Sequence, residues 1–179
     1  DQFDTRIIDH VIAPHLGRDC TFRTMGGEPL PLPNDWYAAL SRPHRLSLSW
    51  SPHILTEIED VARASSDPGK LRNLAELIRE QHGQLLYNAV SAAKQALSTE
   101  DSTVLRFSQK GLRLEETVTR EDFERWIAPD LAQLGAGIDQ AVSRAGLSPD
   151  EIDRVFLTGG TSFVPAVRAL FAARFGNER

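Results

Sequence analysis

Apolar residues recur along this chain with two periods, near 3.6 and near 2, and the alternation between them predicts its elements. Ile7, Ile8, Val11, Ile12 and Leu16 fall on one face of a helix running from Thr5 to about Leu16, with Asp4 placed to cap it. Pro14 offers no amide hydrogen and disturbs the last turn, and Gly17 stops it. Residues 21 to 35 (TFRTMGGEPLPLPND) are punctuated by Gly and Pro and read as loop. Asp35 caps a short turn holding Trp36, Tyr37 and Leu40, which Arg42-Pro43 ends. LSLSW, 46 to 50, alternates as either a short strand or an extended connector. Ser51-Pro52 opens a helix whose stripe is Ile54, Leu55, Ile58, Val61 and Ala62. Asp67-Pro68 repeats that signal. A long helix follows to about Leu97, with Leu71, Leu74, Leu77, Ile78, Leu85, Leu86, Ala89, Val90, Ala93 and Leu97 on its face. Gly83 inside it is a weak point of roughly 1 kcal/mol relative to Ala. The two helices are expected to pack antiparallel through the SSDPG turn.

The period then changes to two. TVLRFS (103–108) and LRLEETV (112–118) alternate on either side of QKG and predict a hairpin with one buried face. Thr119, with Asp122 three residues on, starts a helix whose face is Phe123, Trp126, Ile127, Leu131, Leu134, Ile138 and Val142. Pro129 should kink it and Gly146 closes it. Ser148-Pro149 opens a single turn. RVFLT (154–158) reads as a last strand, buried by its apolar content, followed by GGTS and a final helix from about Val164 to Phe175.

Composition narrows the classes. Hydrophobic residues make up 41% and charged residues 25%, enough for a packed core in one domain or two small subdomains. The formal net charge of -5, with Arg72, Arg79, Arg106 and Arg113 scattered over different elements, argues against a nucleic-acid partner. No run reaches the ~18 apolar residues of a membrane span. The single Cys20 cannot form an internal disulfide, which suits a reducing cytoplasm. His10 and His15, five apart and near Cys20, lack zinc-ligand spacing, so no metal site is expected. Glu57, Glu59 and Asp60 read as a solvated face, and Trp36, Trp50 and Trp126 are too widely spaced for a stacking platform. The start DQFDTRIIDH, without an initiator Met, fits a segment cut from a longer protein.

The candidate chemistry lies at Gly159-Gly160, between the apolar run and the last helix. Glycine lets backbone approach a ligand closely and permits positive φ. The following helix turns its free amides toward the bend, where an anion or polar ring edge is favoured. The plainer alternative is a pair of glycines that only turns the chain. Neither the G-x-G-x-x-G nor the P-loop pattern is present.

The surroundings of the glycines carry a resemblance. LTGGTSFVPAVRALF resembles the adenosine-binding segment of the actin-like ATPases, and within them the DnaK-type heat-shock chaperones: an apolar strand, Gly-Gly-Ser/Thr, then a proline (here Pro165) and a helix. DQFDTRIIDHVI resembles the family's segment in which Gly precedes x-x-Phe-Asp. AAKQALS (92–98) resembles the helix whose Lys and Ser contact adenosine, and TVTREDFERWIAPDL the helix after the hairpin. These matches run in the family's order across nearly the whole chain. The resemblance implies an α/β fold, the second-lobe fragment of an actin-like ATPase (ribonuclease H-like) domain with a helical/β-hairpin outer subdomain. Residues 1–20 and 119–179 would form the base subdomain and 21–118 the lever-like outer one. Residues 24 to 70 look longer than in typical chaperones, which suggests an atypical, YegD-like bacterial relative.

By the same resemblance, Gly159 and Gly160 would bring backbone against adenosine and the α-phosphate, and Thr161 would hydrogen-bond nearby. Lys94 would reach the ribose and Ser98 the adenine edge. A solvated helix face is the alternative reading of Lys94. Three positions depart from the family: Ser91 stands where Glu is usual, Gln95 where an Arg stacks on adenine, and Phe163 where a second Arg lies. Phe163 could stack on a base or belong to the core. The family's first phosphate loop, catalytic Lys and magnesium-holding carboxylates lie upstream of the matched region, so this chain alone is expected not to hydrolyse ATP. The implied ligands are ATP/ADP, with magnesium in the full-length protein only. The implied partners are a nucleotide-exchange factor or client protein. A sugar kinase of the same superfamily and a non-catalytic interaction module retaining the fold are the rival readings.

Overall fold

The computed structural model describes residues 2–38, 40, 52–110 and 112–176. The expectations at Arg42-Pro43, LSLSW and Ser51 lie outside the described residues. Contacts divide the chain into two compact units, Asp1–Ala93 with Val104–Thr117, and Lys94–Thr103 with Val118–Arg179.

The first unit opens with α1 (Gln2–Ile7), which passes into a π-helical turn at Ile8–Ile12 and a 3-10 turn at Ala13–Leu16. Here the sequence expectation needs correcting. Asp4 lies inside α1, is 1% exposed, and accepts a hydrogen bond from the Tyr87 hydroxyl at 2.9 Å, so it is a buried polar anchor and not a cap. Pro14 cannot donate to the preceding turn, and the helix changes pitch just before it. Gly17, at φ 91°, ends the run as predicted. Two strands, β1 (Thr21–Phe22) and β2 (Leu30–Pro31), pair antiparallel within the stretch read as loop. The short α2 (Asp35–Ala38) includes Asp35 as its first residue and buries Trp36 and Tyr37, with Leu40 buried just beyond.

α3 (Pro52–Arg63) packs on α4 (Pro68–Arg79) through the predicted turn. Asp67 caps α4 by accepting from the Gly69 and Lys70 amides at 3.0 and 3.3 Å. Glu59 and Asp60 are ion-paired, with Arg79 and Arg63 respectively. The long helix expected to Leu97 is two helices, α4 and α5 (Gly83–Ala96). Between them Gln81 takes φ 56° while its amide donates to the Ile78 carbonyl (3.1 Å) and that of His82 to Leu77 (3.0 Å). This is a Schellman ending with Gln in the place usually held by Gly. It rephases the buried stripe: Leu71, Leu74, Leu77 and Ile78 are buried on α4 and Leu86, Val90 and Ala93 on α5, while Leu85 stays 47% exposed. A left-handed Gln costs about 1–2 kcal/mol, partly offset in a glycine variant by the greater freedom of the unfolded chain. Gln81→Gly should therefore raise unfolding free energy by up to about 1 kcal/mol, read as a higher urea midpoint at unchanged m-value.

The hairpin forms as predicted, β3 (Ser102–Gln109) with β4 (Leu112–Thr119). Leu105, Phe107, Leu112, Leu114 and Val118 make its buried face. Lys110 near its tip pairs with Glu76 and Glu80 at 3.0 Å each.

In the second unit, α6 (Arg120–Arg144) starts from Thr119, whose hydroxyl oxygen accepts from the Asp122 amide at 3.1 Å. The helix runs on through Pro129. Only its first half buries the predicted face, at Phe123 and Ile127; Leu134 is 37% exposed. α7 (Pro165–Phe175) packs against α6, and Arg174 donates from Nε and Nη2 to Asp139 at 2.7 and 3.0 Å. That bond holds the Asp139 carboxyl below its usual range.

The expected strand at 154–158 does not form. Residues 152–158 belong to neither helix nor strand, and Phe156 is 81% exposed. The two sheets among the described residues are both two-stranded, β1–β2 and β3–β4. An apolar run becomes a buried strand only when a neighbouring edge accepts its backbone bonds. The described chain is thus mixed helix and strand, with helix predominant.

Candidate functional site

The bend after residues 152–158 is built by local bonds. Gly159 takes φ 87° and ψ 163°, a region open essentially to glycine alone. Its carbonyl accepts from the Ser162 amide at 3.1 Å and the Ser162 hydroxyl at 2.6 Å, which closes a 3-10 turn at Gly160–Phe163. Gly160 differs: it does not have positive φ. A Cβ added at either glycine meets nothing within 4 Å. The bend is therefore open, and only the first glycine is demanded by its own backbone.

The next residues extend this surface. Thr161 is half-buried, and Phe163 is 58% exposed and so is not core. Val164 is buried and precedes α7, which begins with Pro165 at its first position. The Arg168 guanidinium lies over the Phe163 ring, 5.5 Å from its centroid, and Arg168 Nε donates to the Ser162 carbonyl at 3.0 Å. Gly159, Gly160, Ser162, Phe163 and Arg168 thus come together in one turn.

The other predicted group lies along α5 and just after it. Lys94 is 7% exposed, which corrects the solvated-face reading. Ser98 is half-buried, and its hydroxyl reaches the Lys94 carbonyl at 3.4 Å, one helical turn back. Gln95 is exposed and Ser91 half-buried, and at a spacing of four the two departures from the family pattern share one face of α5. Arg168 was missed by sequence reasoning. Its only signal is position: on the first turns of a helix a long side chain leans back toward the N-terminus and can cover a residue five earlier.

Among the described residues no group of His, Cys, Asp and Glu is arranged to hold a metal ion, and no helix is long and apolar enough to cross a membrane. His15 Nε2 instead meets Glu116 at 3.0 Å.

Comparison with known proteins places this bend in a family. The chaperone protein DnaK of Thermus thermophilus is 37% identical over 123 residues, covering 59% of this chain and 20% of the relative. Those of Thermotoga petrophila and Thermotoga maritima are each 35% identical with the same coverage. The chain spans about a fifth of the length of these curated relatives. The family model described as Hsp70 protein matches residues 74–179, which takes in the Lys94 helix, the hairpin, α6 and the diglycine bend. With more than half of its residues inside that match, including both groups of the candidate site, the chain belongs to the Hsp70 family.

Proposed function

We propose that this chain is the adenine-nucleotide-binding lobe of a chaperone-like ATPase, whose lobes close on ATP and open on release in the full-length protein. The observation that carries this reading is Gly160. Neither backbone conformation nor packing within the chain calls for glycine there, yet the bend stays bare. A requirement for bare backbone that the chain itself does not impose fits close approach by a ligand. Family membership supplies the ligand class: ATP or ADP, with magnesium held by residues outside this chain. Gly159, Gly160 and Thr161 would line the α-phosphate and nucleoside, Lys94 the ribose, Ser98 the base edge, and Ser91, Gln95 and Phe163 the altered purine wall. Nucleotide-dependent contacts would bias a hinge between open and closed lobes.

The proposed subdomains follow the lobes of the family, with 1–20 and 119–179 as the base and 21–118 as the lever. The compact units described above follow contacts within this chain alone. Residues 67–118 are the proposed surface for an exchange factor, and the cytoplasm is the proposed compartment. Because phosphoryl transfer needs a positioned metal and water, the purified 179-residue chain should show no magnesium-dependent ATP turnover above a Gly160→Asp control. Turnover above that control would contradict the lobe assignment. Calorimetry with ADP on the full-length protein tests binding itself, and an absence of heat would favour a non-catalytic interaction module.

A further inference from the structure

α5 carries two stripes, one residue out of register with each other. Leu86, Val90 and Ala93, with Leu97 just past the end of the helix, form the buried apolar stripe. Tyr87, Ser91 and Lys94, with Ser98 just past the end, form a polar stripe beside it. At about 100° per residue these polar positions fall within roughly 60° of one another. Lys94 is buried and the other three are half-buried. The proposed ribose and base contacts thus share their strip of helix with Tyr87, which lies about 10 Å from Lys94 along the axis. Tyr87 is bonded to a residue 83 positions earlier: its hydroxyl donates to Asp4 Oδ2 at 2.9 Å, and Asp4 is 1% exposed inside α1. A carboxylate taken out of water is costly unless it is hydrogen-bonded, so this bond holds both groups in a defined place. Apolar packing is non-directional and tolerates small rotations of a helix about its axis. A hydrogen bond does not, because its angle is restricted. A turn of about 10° would carry a side-chain tip about 5–6 Å from the axis through about 1 Å, more than a preorganised site tolerates.

We propose that Tyr87 is a positioning residue for the nucleotide: held by Asp4, it fixes the rotation of α5 and with it the side chains of Ser91, Lys94 and Ser98. The pair touches no ligand and acts through those residues. The proposal rests on the nucleotide-lobe reading above and adds to it two residues that set how long the nucleotide stays bound. A wall already turned to its ligand lowers the ordering cost of binding, and such differences show mainly in the rate of release.

The probe is ADP on the full-length protein, with affinity read by calorimetry and release by chase of radiolabelled ADP, under conditions where each variant is fully folded. Tyr87→Phe keeps the ring and removes the donor. It should speed ADP release roughly tenfold with association unchanged. Asp4→Ala should do the same, and the double variant should be no faster than either single one, because both changes break one bond. Asp4→Asn keeps a carbonyl acceptor and should recover most of the wild-type release rate. In a background of Lys94→Met with Ser98→Ala, Tyr87→Phe should add nothing, since it acts through those contacts. A Tyr87→Phe protein with a lower urea midpoint but unchanged ADP release would show a bond that serves folding alone and would overturn the proposal. A further tenfold loss in the Lys94→Met, Ser98→Ala background would overturn it equally. Tyr87→Phe decides the matter even if Asp4→Ala fails to fold. Gly160→Val separates the two readings. If it abolishes ADP binding while Tyr87→Phe leaves release unchanged, only the positioning role fails. If Gly160→Val itself leaves ADP affinity intact, the nucleotide reading fails with it.

Discussion

Valine at position 160 is expected to leave the protein folded and to remove at least about a hundredfold of its ADP affinity, about 2.7 kcal/mol. Two observations set the first half of that expectation. Gly160 does not have positive φ, and its missing Cβ would point into space with nothing within 4 Å. Surface substitutions free of such constraints usually stay within about 0.5 kcal/mol. The second half follows if bare backbone at this position is the wall of a nucleoside site, because the valine methyls would occupy the ligand's place. Gly159→Ala should divide the effects the other way. At φ 87° and ψ 163° any Cβ is strained, which costs about 1–3 kcal/mol of folding stability. Urea unfolding alongside ADP calorimetry in the full-length protein reads both quantities for both variants. A Gly160→Val protein as unstable as Gly159→Ala would show a structural demand at 160 that the geometry does not contain. Normal ADP binding by a folded Gly160→Val protein would remove the main support for the lobe assignment.

The elements that sequence reasoning placed well are those whose signal lies within a few residues. α3 and α4 begin at prolines, the second after its cap Asp67, the hairpin arms alternate, and Thr119 with Asp122 announces α6. What it misplaced depends on residues far away or on partners. Asp4 looks like a cap by position, but its carboxylate is taken up by Tyr87, 83 residues later. Gln81 carries no sign that it will adopt a left-handed conformation, because that position is ordinarily Gly. The stretch 154–158 has strand composition, yet a strand is a relation between two segments, and among the described residues this run joins neither sheet. The candidate site shows the same division. The two glycines are visible in sequence because their chemistry is local backbone geometry. Arg168 is not, since its place on the Phe163 ring follows from where α7 begins and how its side chains lean.

Tyr37 is where the largest loss of stability is expected. It is 1% exposed in the first unit, and its hydroxyl donates to the Leu16 carbonyl at 3.2 Å, at the end of the 3-10 turn that closes the first helix. The Arg18 guanidinium covers its ring at 5.6 Å and is itself paired with Asp9. Tyr37→Ala empties a large site and leaves the Leu16 carbonyl without that donor. By analogy with other buried aromatic truncations it should cost about 3–5 kcal/mol. Tyr37→Phe keeps the ring and loses only the hydrogen bond, about 1–2 kcal/mol including the acceptor left behind. Burial, with the nearby Cys20 and Asp19 adding to it and Arg18 opposing, pushes the phenol well above its ordinary pKa of 10.0. Below about pH 10 the phenol is neutral in both folded and unfolded chains, and its contribution is fully present. As pH rises past 10 the unfolded chain releases the proton first, so stability falls until the folded phenol also ionises. The Phe variant lacks this term, so its deficit relative to the wild-type protein should shrink between pH 9 and pH 11 in parallel urea titrations. A deficit that stays constant across that range would mean that the Tyr37 hydroxyl ionises equally in both states and is not sealed against Leu16.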